Sequence, residues 1–322
     1  MIIDNIPYKP DNVIVKKFDT IRIKITNSCQ LSCSFCHAEG SESSDNLSFS
    51  EKFIKGLNKL KSDLNLTSVH LTGGEPTSFS RLEDLLHILH DNDFTIKITT
   101  NGQLNDNILN TLKSYNISSI NFSVHTLNPI KLALLQNPPK NFYWGLKTLE
   151  NQLHNMTKAK EMGLRVKLNT VILEDSSIHD IISLCKSENF ELRILNDLNI
   201  GSLSIDRTIK LLTSMGAEIT GINIIEHVSA ASYDVQSSDG FKFKVKSINN
   251  NILPTLCNNC KKRDNCIEWF YGIRIEFHSK EPFVRLCLHR NDSVALQTFD
   301  NFFISDQYSQ LIEYQNKSHT ML

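Results

Sequence analysis

The sequence predicts an α/β protein whose parallel sheet curls into a full or partial barrel and is followed by a smaller C-terminal module. In the first two thirds of the chain, short segments rich in β-branched residues alternate about six times with segments of helical periodicity. Strands that are joined by helices pair in parallel, and such sheets twist and curl. After about Gly201 the alternation stops, which marks the predicted boundary.

Six strands and five helices make up this alternation. The predicted strands are Ile21–Thr26, Ser68–Thr72, Thr95–Thr100, Ser119–Val124, Arg165–Leu173 and Glu191–Leu195. The predicted helices are Phe49–Leu64, Leu82–Leu89, Asp106–Lys113, Phe142–Met162 and Ile178–Cys185. Within the first helical segment Ser50 is a residue type that commonly caps helices, and the apolar residues after it recur at helical spacing. In a parallel barrel, functional residues gather at the carboxyl ends of the strands.

The C-terminal module is predicted over residues 201–322, after a core over residues 1–200. It begins with a helical stretch at Ile205–Ser214, continues with β-like segments such as Phe241–Ser247, and carries four cysteines between Cys257 and Cys287.

Composition excludes several classes of protein. The 322 residues are 40% hydrophobic and 21% charged, which is typical of globular proteins and unlike disordered or coiled-coil chains. Lysine and arginine (34) balance aspartate and glutamate (35), so the net charge of −1 favours neither nucleic acid nor an acidic membrane as a partner. The chain has neither an apolar run of membrane-spanning length nor a signal-peptide pattern, and we expect a cytoplasmic protein with reduced thiols.

A first cysteine cluster directly follows the first predicted strand. Cys29, Cys33 and Cys36 have the spacing C-x3-C-x2-C. Three thiolates on a short loop can hold three irons of a cubane cluster and leave the fourth open to a substrate. From these residues alone, a Cys3His zinc site completed by His37 stays open as the alternative.

The next two predicted strands end in polar, glycine-containing sequences. LTGGEP places Gly73, Gly74 and Glu75 at the end of the second strand, and TTNG places Thr100 at the end of the third. Glycines allow close approach of the backbone to a ligand, and Glu75 can accept hydrogen bonds from a ligand ammonium group. A tight turn is the simpler explanation of the two glycines.

Taken together, the cysteine triplet, GGEP and TTNG resemble the radical S-adenosylmethionine (SAM) superfamily. The later segments NFSVHTLNP and EMGLRVKLNTVIL are similar to the GTP 3′,8-cyclase-like branch of that superfamily. The resemblance implies a partial (β/α)6 TIM-like barrel, a smaller C-terminal iron–sulfur module and a radical SAM enzyme. In such an enzyme, reductive cleavage of SAM gives a 5′-deoxyadenosyl radical, which abstracts a hydrogen atom from the substrate.

The resemblance also implies roles for individual residues. Cys29, Cys33 and Cys36 would hold a [4Fe–4S] cluster that binds SAM, and the expected SAM-binding residues are Gly73, Gly74, Glu75, Thr100, Ser123 and Asn169. Lys167 shares a strand face with Asn169 and is a candidate substrate contact. The other substrate candidates are His125, Arg193 and Arg274. For each of these residues, a purely structural role is the alternative to substrate contact.

The second cysteine cluster consists of Cys257, Cys260, Cys266 and Cys287. Four thiolates suit either a closed zinc site or one cubane cluster. The segment resembles the C-terminal extension of radical SAM enzymes that carries an auxiliary [4Fe–4S] cluster, so the cofactors implied are two [4Fe–4S] clusters and SAM. The eighth cysteine, Cys185, lies in an apolar helix and is expected to be a core residue.

Several positions depart from the GTP cyclases. Those enzymes hold the auxiliary cluster with three cysteines, whereas here Cys266 is extra and the last gap is longer. The basic residues that follow GGEP in the cyclases are reduced to Arg81, and their Arg-x-Arg is here Gly272-Ile273-Arg274. Fewer cations weaken the case for a triphosphate substrate.

The leading hypothesis is therefore a radical SAM enzyme that acts on a small molecule, such as a nucleoside, nucleotide or sugar derivative. A flavodoxin- or ferredoxin-type electron donor is implied. Three alternatives remain: a GTP 3′,8-cyclase, a peptide-modifying maturase, and a non-enzymatic zinc-binding interaction protein. The sequence leaves open the substrate, the hydrogen abstracted, whether SAM is consumed or regenerated, the auxiliary ligand count and the oligomeric state.

Overall fold

A computed structural model describes residues 5–8, 12–36, 44–173 and 178–317. In this part of the chain the strands are β1 (Val13–Lys16), β2 (Thr20–Lys24), β3 (Ser68–Thr72), β4 (Thr95–Thr100), β5 (Ser119–Ser123), β6 (Val166–Val171), β7 (Glu191–Leu195), β8 (Glu218–Ile225), β9 (Ala230–Gln236), β10 (Lys242–Ile248), β11 (Arg274–His278), β12 (Glu281–Arg285) and β13 (Leu296–Thr298). They form one sheet in the order β1-β8-β9-β10-β7-β6-β5-β4-β3-β2-β11-β12-β13.

The six predicted strands are confirmed as β2 to β7, with bounds that differ by at most two residues at either end. All five pairings among them are parallel. Their apolar residues are buried, as in β5, where Ile120 and Phe122 are fully enclosed. The apolar residues of these strands therefore lie on one face of the parallel sheet, and the polar residues that alternate with them, such as Asn121, lie on the other.

Helices cover the outer face of this sheet. They are α1 (Glu51–Asp63), α2 (Leu82–Asp91), α3 (Asp106–Ser114), α4 (Pro129–Leu134), α5 (Phe142–Glu161), α6 (Ile178–Glu188), α7 (Ser202–Ser214), α8 (Pro254–Cys257), α9 (Phe299–Phe303) and α10 (Asp306–Asn316). Ser50 caps α1 through a hydrogen bond from the backbone N–H of Phe53 to its hydroxyl, which confirms the predicted cap, although the helix begins at Glu51 and not at Phe49. Asn105, Asn128 and Asn141 cap α3, α4 and α5 in the same way.

The sheet curls so that strands distant in its order come together. Five strands separate β2 from β10, yet Arg22 of β2 and Lys246 of β10 both lie against the ring of Tyr271. The interior of the curl is therefore enclosed from both sides. This geometry confirms the expected α/β fold with a curled, barrel-like sheet.

The residues after 201 extend both edges of the same sheet. On one side β10 pairs in parallel with β7, and β9 and β8 follow it. On the other side β11 pairs in parallel with β2, and β12 and β13 follow. The division of the chain at residue 200 stays a prediction. Among the described residues, no helix combines the length and the apolar character that a membrane span requires.

Candidate active site

A cavity of about 290 Å³ opens at the carboxyl ends of the central strands. It receives residues that follow β2, β3, β4, β5, β6 and β7. The predicted site residues in its wall are Cys29, Cys33, Cys36, Gly73, Gly74, Glu75, Thr100, Ser123, His125, Asn169, Arg193 and Arg274. The structure thus brings together residues that are as far as 245 positions apart in the sequence, and we refer to this space as the cysteine cavity.

The three cysteines lie on the loop after β2. Burial raises the pKa of the Cys29 and Cys33 thiols, the latter to about 11, and the charge of Cys36 raises both further. The three thiols therefore interact electrostatically. In the described part of the chain, however, no three Cys, His, Asp or Glu side chains converge to hold a single metal ion. His37, the proposed fourth zinc ligand, lies outside the described residues.

The GGEP turn is hydrogen-bonded to the start of the cysteine loop. The Gly74 N–H donates to the Thr26 carbonyl oxygen, and the Glu75 N–H donates to that of Ser28, each over 2.7 Å. A Cβ atom on Gly74 would lie 2.3 Å from the Ser28 carbonyl oxygen, which is closer than atoms can approach. Glycine is required here because the two backbones touch.

Glu75 joins the ends of β3 and β4. Its Oε1 accepts hydrogen bonds from the backbone N–H and hydroxyl of Thr77 and from the hydroxyl of Thr100, and its Oε2 accepts one from the Asn101 N–H. Burial raises the pKa of this carboxyl, and the four donors oppose that rise. Oε2 retains room for a further donor, because a carboxylate oxygen can accept two.

Asn169, at the end of β6, is buried, and its side-chain Oδ1 has no hydrogen-bond partner among the described atoms. His125, after β5, accepts a hydrogen bond at Nδ1 from the Val171 N–H, and Phe35 packs edge-on against its ring with 4.7 Å between ring centres. Burial lowers the pKa of His125 to about 4. His125 is therefore neutral at physiological pH and ties the end of β5 to β6.

A second, larger cavity of about 520 Å³ lies at the amino ends of the same strands. Lys167 lies in its wall and not in that of the cysteine cavity. Its ammonium group is 3.9 Å from the Glu191 carboxylate, and burial lowers its pKa to about 8. We call this space the lysine cavity, because Lys16, Lys97, Lys167, Lys242 and Lys244 line it.

Five residues line both cavities and separate them. They are Arg22, His70, Arg193, Tyr271 and Arg274. Arg274 is fixed by a buried ion pair, in which its Nη2 lies 2.6 Å from Glu268 Oε1. Arg193 Nε is buried and has no hydrogen-bond partner in the described part of the chain. Both predicted substrate candidates thus face the interior at the junction of the two cavities.

The four cysteines of the second cluster, Cys257, Cys260, Cys266 and Cys287, lie before the start of β11 and after the end of β12. The charge of Cys266 raises the pKa of both Cys257 and Cys287, after the larger effect of burial, so the thiols lie near one another. Arg290 donates to the Leu256 carbonyl oxygen over 2.7 Å and so links the two cysteine segments. Cys185 is fully buried in α6, as expected for a core residue.

Sequence reasoning missed two residues whose side-chain amides donate hydrogen bonds to cysteine sulfurs in the described part of the chain. Asn101 Nδ2 lies 3.5 Å from Cys29 Sγ, and Gln136 Nε2 lies 3.8 Å from Cys33 Sγ. Asn101 belongs to the TTNG sequence, so its position at a strand end could have been predicted as that of Thr100 was. Gln136 has no local signal, because its contact with Cys33 spans 103 residues.

Comparison with known proteins then places the chain in a family. The sequence profile of the Radical SAM superfamily matches residues 23–187, about half of the chain, and covers the triplet, GGEP and TTNG. The chain belongs to the radical SAM superfamily. This membership and the curated relatives show that the protein is an enzyme and favour the cluster-binding interpretation of the triplet over zinc.

Curated relatives are GTP 3′,8-cyclases of modest identity. The enzyme of Aquifex aeolicus is 27% identical over 256 residues, which cover 75% of this chain and 77% of the relative. That of Clostridium perfringens strain SM101 is 24% identical over 282 residues, covering 81% and 84%. The probable cyclase of Methanosarcina acetivorans is 32% identical over 171 residues, covering 52% and 49%.

Solved structures share the fold at low identity. Streptococcus suis SuiB matches with a TM-score of 0.57 and 14% identity, covering 91% of this chain and 67% of SuiB. Native anSMEcpe with bound AdoMet matches with a TM-score of 0.54 and 14% identity, covering 94% and 84%. At this identity the likeness supports the radical SAM type of fold and nothing finer.

Proposed function

We propose that Cys29, Cys33 and Cys36 bind a [4Fe–4S] cluster and that the rest of the cysteine cavity binds SAM. The main observation in support is that the three thiols and the polar ends of the strands that follow them line the same cavity. Three thiolates suit a cubane cluster with one open iron. When bound and reduced, such a cluster supplies the electron that cleaves SAM to methionine and the 5′-deoxyadenosyl radical.

The chain offers complementary groups for SAM. The open position on Glu75 Oε2 and the unpaired Oδ1 of Asn169 can each accept a hydrogen bond from a ligand N–H or O–H. Ser123 lines the same wall, whereas Thr100 and the two glycines act by orienting Glu75 and by allowing the cysteine loop to approach. Neutral His125 adds no charge beside this site.

Replacing all three triplet cysteines tests this assignment. We expect Cys29→Ala/Cys33→Ala/Cys36→Ala to abolish formation of 5′-deoxyadenosine from SAM under a strong reductant without oxygen. Cys185→Ala is the matched control, because it removes a buried thiol that lines neither cavity. Deoxyadenosine formation by the triple variant at the rate of the control would refute the assignment.

We further propose that Cys257, Cys260, Cys266 and Cys287 bind an auxiliary [4Fe–4S] cluster. Support comes from the electrostatic coupling of the four thiols and from the Arg290 link between their segments. In addition, the Cys266 sulfur accepts the Trp269 N–H over 3.2 Å, and the Cys287 sulfur accepts the His289 N–H over 3.4 Å. Backbone donors of this kind stabilise cluster thiolates.

The ligand count can be measured with Cys266→Ala. With two cubane clusters the wild-type chain should contain about eight irons, and loss of a fourth protein ligand should lower the content towards four or expose an iron to added ligands. The electron paramagnetic resonance spectrum of the reduced protein reports that exposed iron. Unchanged iron content and spectra would instead show that only three cysteines hold the auxiliary cluster.

The proposed substrate is a small molecule of the nucleoside, nucleotide or sugar class, and the proposed reductant is a flavodoxin or ferredoxin. The lysine cavity adjoins the cysteine cavity through shared residues, and its volume of about 520 Å³ is ample for such a molecule. The thiols of all eight cysteines are unpaired, which accords with the proposed cytoplasmic location.

GTP is the second candidate substrate, because the curated relatives are GTP 3′,8-cyclases. One geometric observation opposes it. Arg81, the cation that remains after GGEP, lies in neither cavity wall and pairs with Asp84 on the surface. Incubation with SAM, reductant and GTP decides the matter. We expect no GTP consumption, and cyclised product would establish the cyclase alternative. The peptide-modifying alternative stays a prediction.

A further inference from the structure

Three cations surround one aromatic ring at the junction of the two cavities. Lys246 Nζ lies 4.1 Å from the centre of the Tyr271 ring, and the guanidinium carbons of Arg22 and Arg274 lie 5.3 Å and 5.4 Å from it. These residues come from β10, β2 and β11, and Arg193 of β7 adds a fourth positive charge that acts on the phenol. Lys246 also forms a hydrogen bond with the Tyr271 hydroxyl group.

Glu268 is a carboxylate that faces these cations, and both of its oxygens are already engaged, one by Arg274 and the other by the Leu288 N–H. From β3, His70 faces the junction and lies 2.8 Å from the Thr99 hydroxyl. Positive charges gathered in a partly buried space attract an anion strongly, because low polarity strengthens Coulomb attraction.

We propose that Tyr271 and Lys246, with Arg22 and Arg193, form a site for an oxyanionic group of the substrate, and that the Tyr271 hydroxyl takes up a proton when this anion binds. The proposal rests on the proposed function, since it assumes that substrate occupies the space beside the cysteine cavity. Before the anion binds, the phenolate that forms above about pH 7 is the counter-ion of the cations. The bound anion replaces it, and the phenolate oxygen takes its proton from solvent.

The electrostatics of Tyr271 agree with this exchange. Burial raises its pKa, but the combined positive charges of Lys246, Arg22 and Arg193 overcome that effect and lower the pKa to about 7. An anion beside the same cations offsets their charge and must raise the pKa again. By linkage, anion affinity is highest below about pH 7 and falls as the pH rises and the phenolate competes.

Two probe anions test the proposal, each with SAM present so that the open iron is occupied. Acetate represents a carboxylate and sulfate represents a phosphate group, and neither changes its charge between pH 6 and 8.5. We expect the dissociation constant of the better probe to rise by up to about tenfold per pH unit above pH 7. The better probe also identifies the acidic group of the substrate.

Tyr271→Phe should make that dissociation constant independent of pH, whereas Tyr143→Phe, at a 79% exposed position on α5, should keep the wild-type slope. An equal slope in Tyr271→Phe and wild type, or no binding of either anion, overturns the proposal.

A second measurement uses the wild-type holoenzyme alone and does not depend on how Tyr271→Phe folds. With tyrosine labelled at Cζ by carbon-13, one resonance should titrate near pH 7, and saturating sulfate or acetate should raise its midpoint by about one unit or more. Absence of a tyrosine that titrates between pH 6 and 8.5 also overturns the proposal. A failure of the proposed function can be distinguished from a failure of this proposal, because in the first case the wild-type protein does not cleave SAM.

Discussion

The cysteine cavity and the lysine cavity lie at opposite ends of the same strands and differ in how their polar groups are satisfied. In the cysteine cavity, Glu75 accepts four hydrogen bonds from the protein and His125 is neutral. In the lysine cavity, five lysines share the wall with Asp19, Glu191 and Asp234, and two of them form ion pairs there, Lys244 with Asp234 and Lys167 with Glu191. Glu75 is thus fixed by contacts within the protein, whereas in the wall of the lysine cavity the cationic side chains outnumber the carboxylates.

This difference matches the two tasks proposed for them. A cofactor such as SAM is the same in every reaction cycle, so its site gains from side chains held in one arrangement before binding. A substrate site distinguishes between molecules through the charged side chains that can contact them. The shared residues, above all Arg193 and Tyr271, lie where cofactor and substrate would meet.

The largest effect is expected at the contact between GGEP and the cysteine loop. In Gly74→Ala the new Cβ would lie 2.3 Å from the Ser28 carbonyl oxygen, so the loop that carries Cys29 must move. A displacement of about 1 Å at a reacting centre costs on the order of 100-fold in rate. We expect at least that loss in 5′-deoxyadenosine formation.

Gly240→Ala is the control for this variant. A Cβ at Gly240 meets no atom within 4 Å, although its φ of 89° adds backbone strain. It should therefore lower stability slightly and leave SAM cleavage intact. Wild-type cleavage by Gly74→Ala would show that the cysteine cavity is less rigid than its contacts indicate.

The fold was predictable where strands alternate with helices along the chain, and less so elsewhere. β2 to β7 are β-branched runs separated by helical segments, whereas β1 was not predicted, although Val13, Ile14 and Val15 are also β-branched, because it is short and precedes β2 without a helix between them. The C-terminal strands were predicted only in outline. Their placement on both edges of the sheet depends on the curl, which no local pattern encodes.

The site was predictable to the extent that its residues lie in short motifs. The triplet, Glu75 and Thr100 follow strand ends directly, and all of them reach the cysteine cavity. The Tyr271–Lys246 contact escaped prediction, since the two residues belong to opposite edges of the sheet that meet only after folding. The glycines were expected to approach a ligand, and the structure shows them approaching backbone.

An intermediate effect is expected from His125, which keeps the cysteine cavity free of added charge. Its pKa is lowered to about 4 in the folded state, from about 6.5 when unfolded, so the unfolded chain binds the extra proton between these values. Stability should therefore fall as the pH drops below 6.5. After a discount for partial exposure, we expect a loss of about 1 kcal/mol at pH 5.

His125→Asn retains an acceptor near the Val171 N–H and removes the titrating group. Chemical denaturation between pH 5 and 7 should show a weaker pH dependence of the unfolding free energy than in the wild type. His87→Asn, at an exposed position on α2, should match the wild type. An unchanged pH dependence in His125→Asn would mean that another group governs acid stability.

The smallest effect is expected from Lys167, which lines the lysine cavity but does not line the junction of the two cavities. Its ammonium group lies 3.9 Å from Glu191, so an incoming anion gains little from a charge that is already partly balanced. We expect Lys167→Met to weaken sulfate binding about two- to threefold at pH 6.5 and to leave SAM cleavage unchanged.

Lys147→Met, at an exposed position on α5, is the control. A loss of more than about tenfold would move the principal anion contact from the Tyr271 junction to the lysine wall, because an effect of that size requires a direct, poorly balanced charge contact.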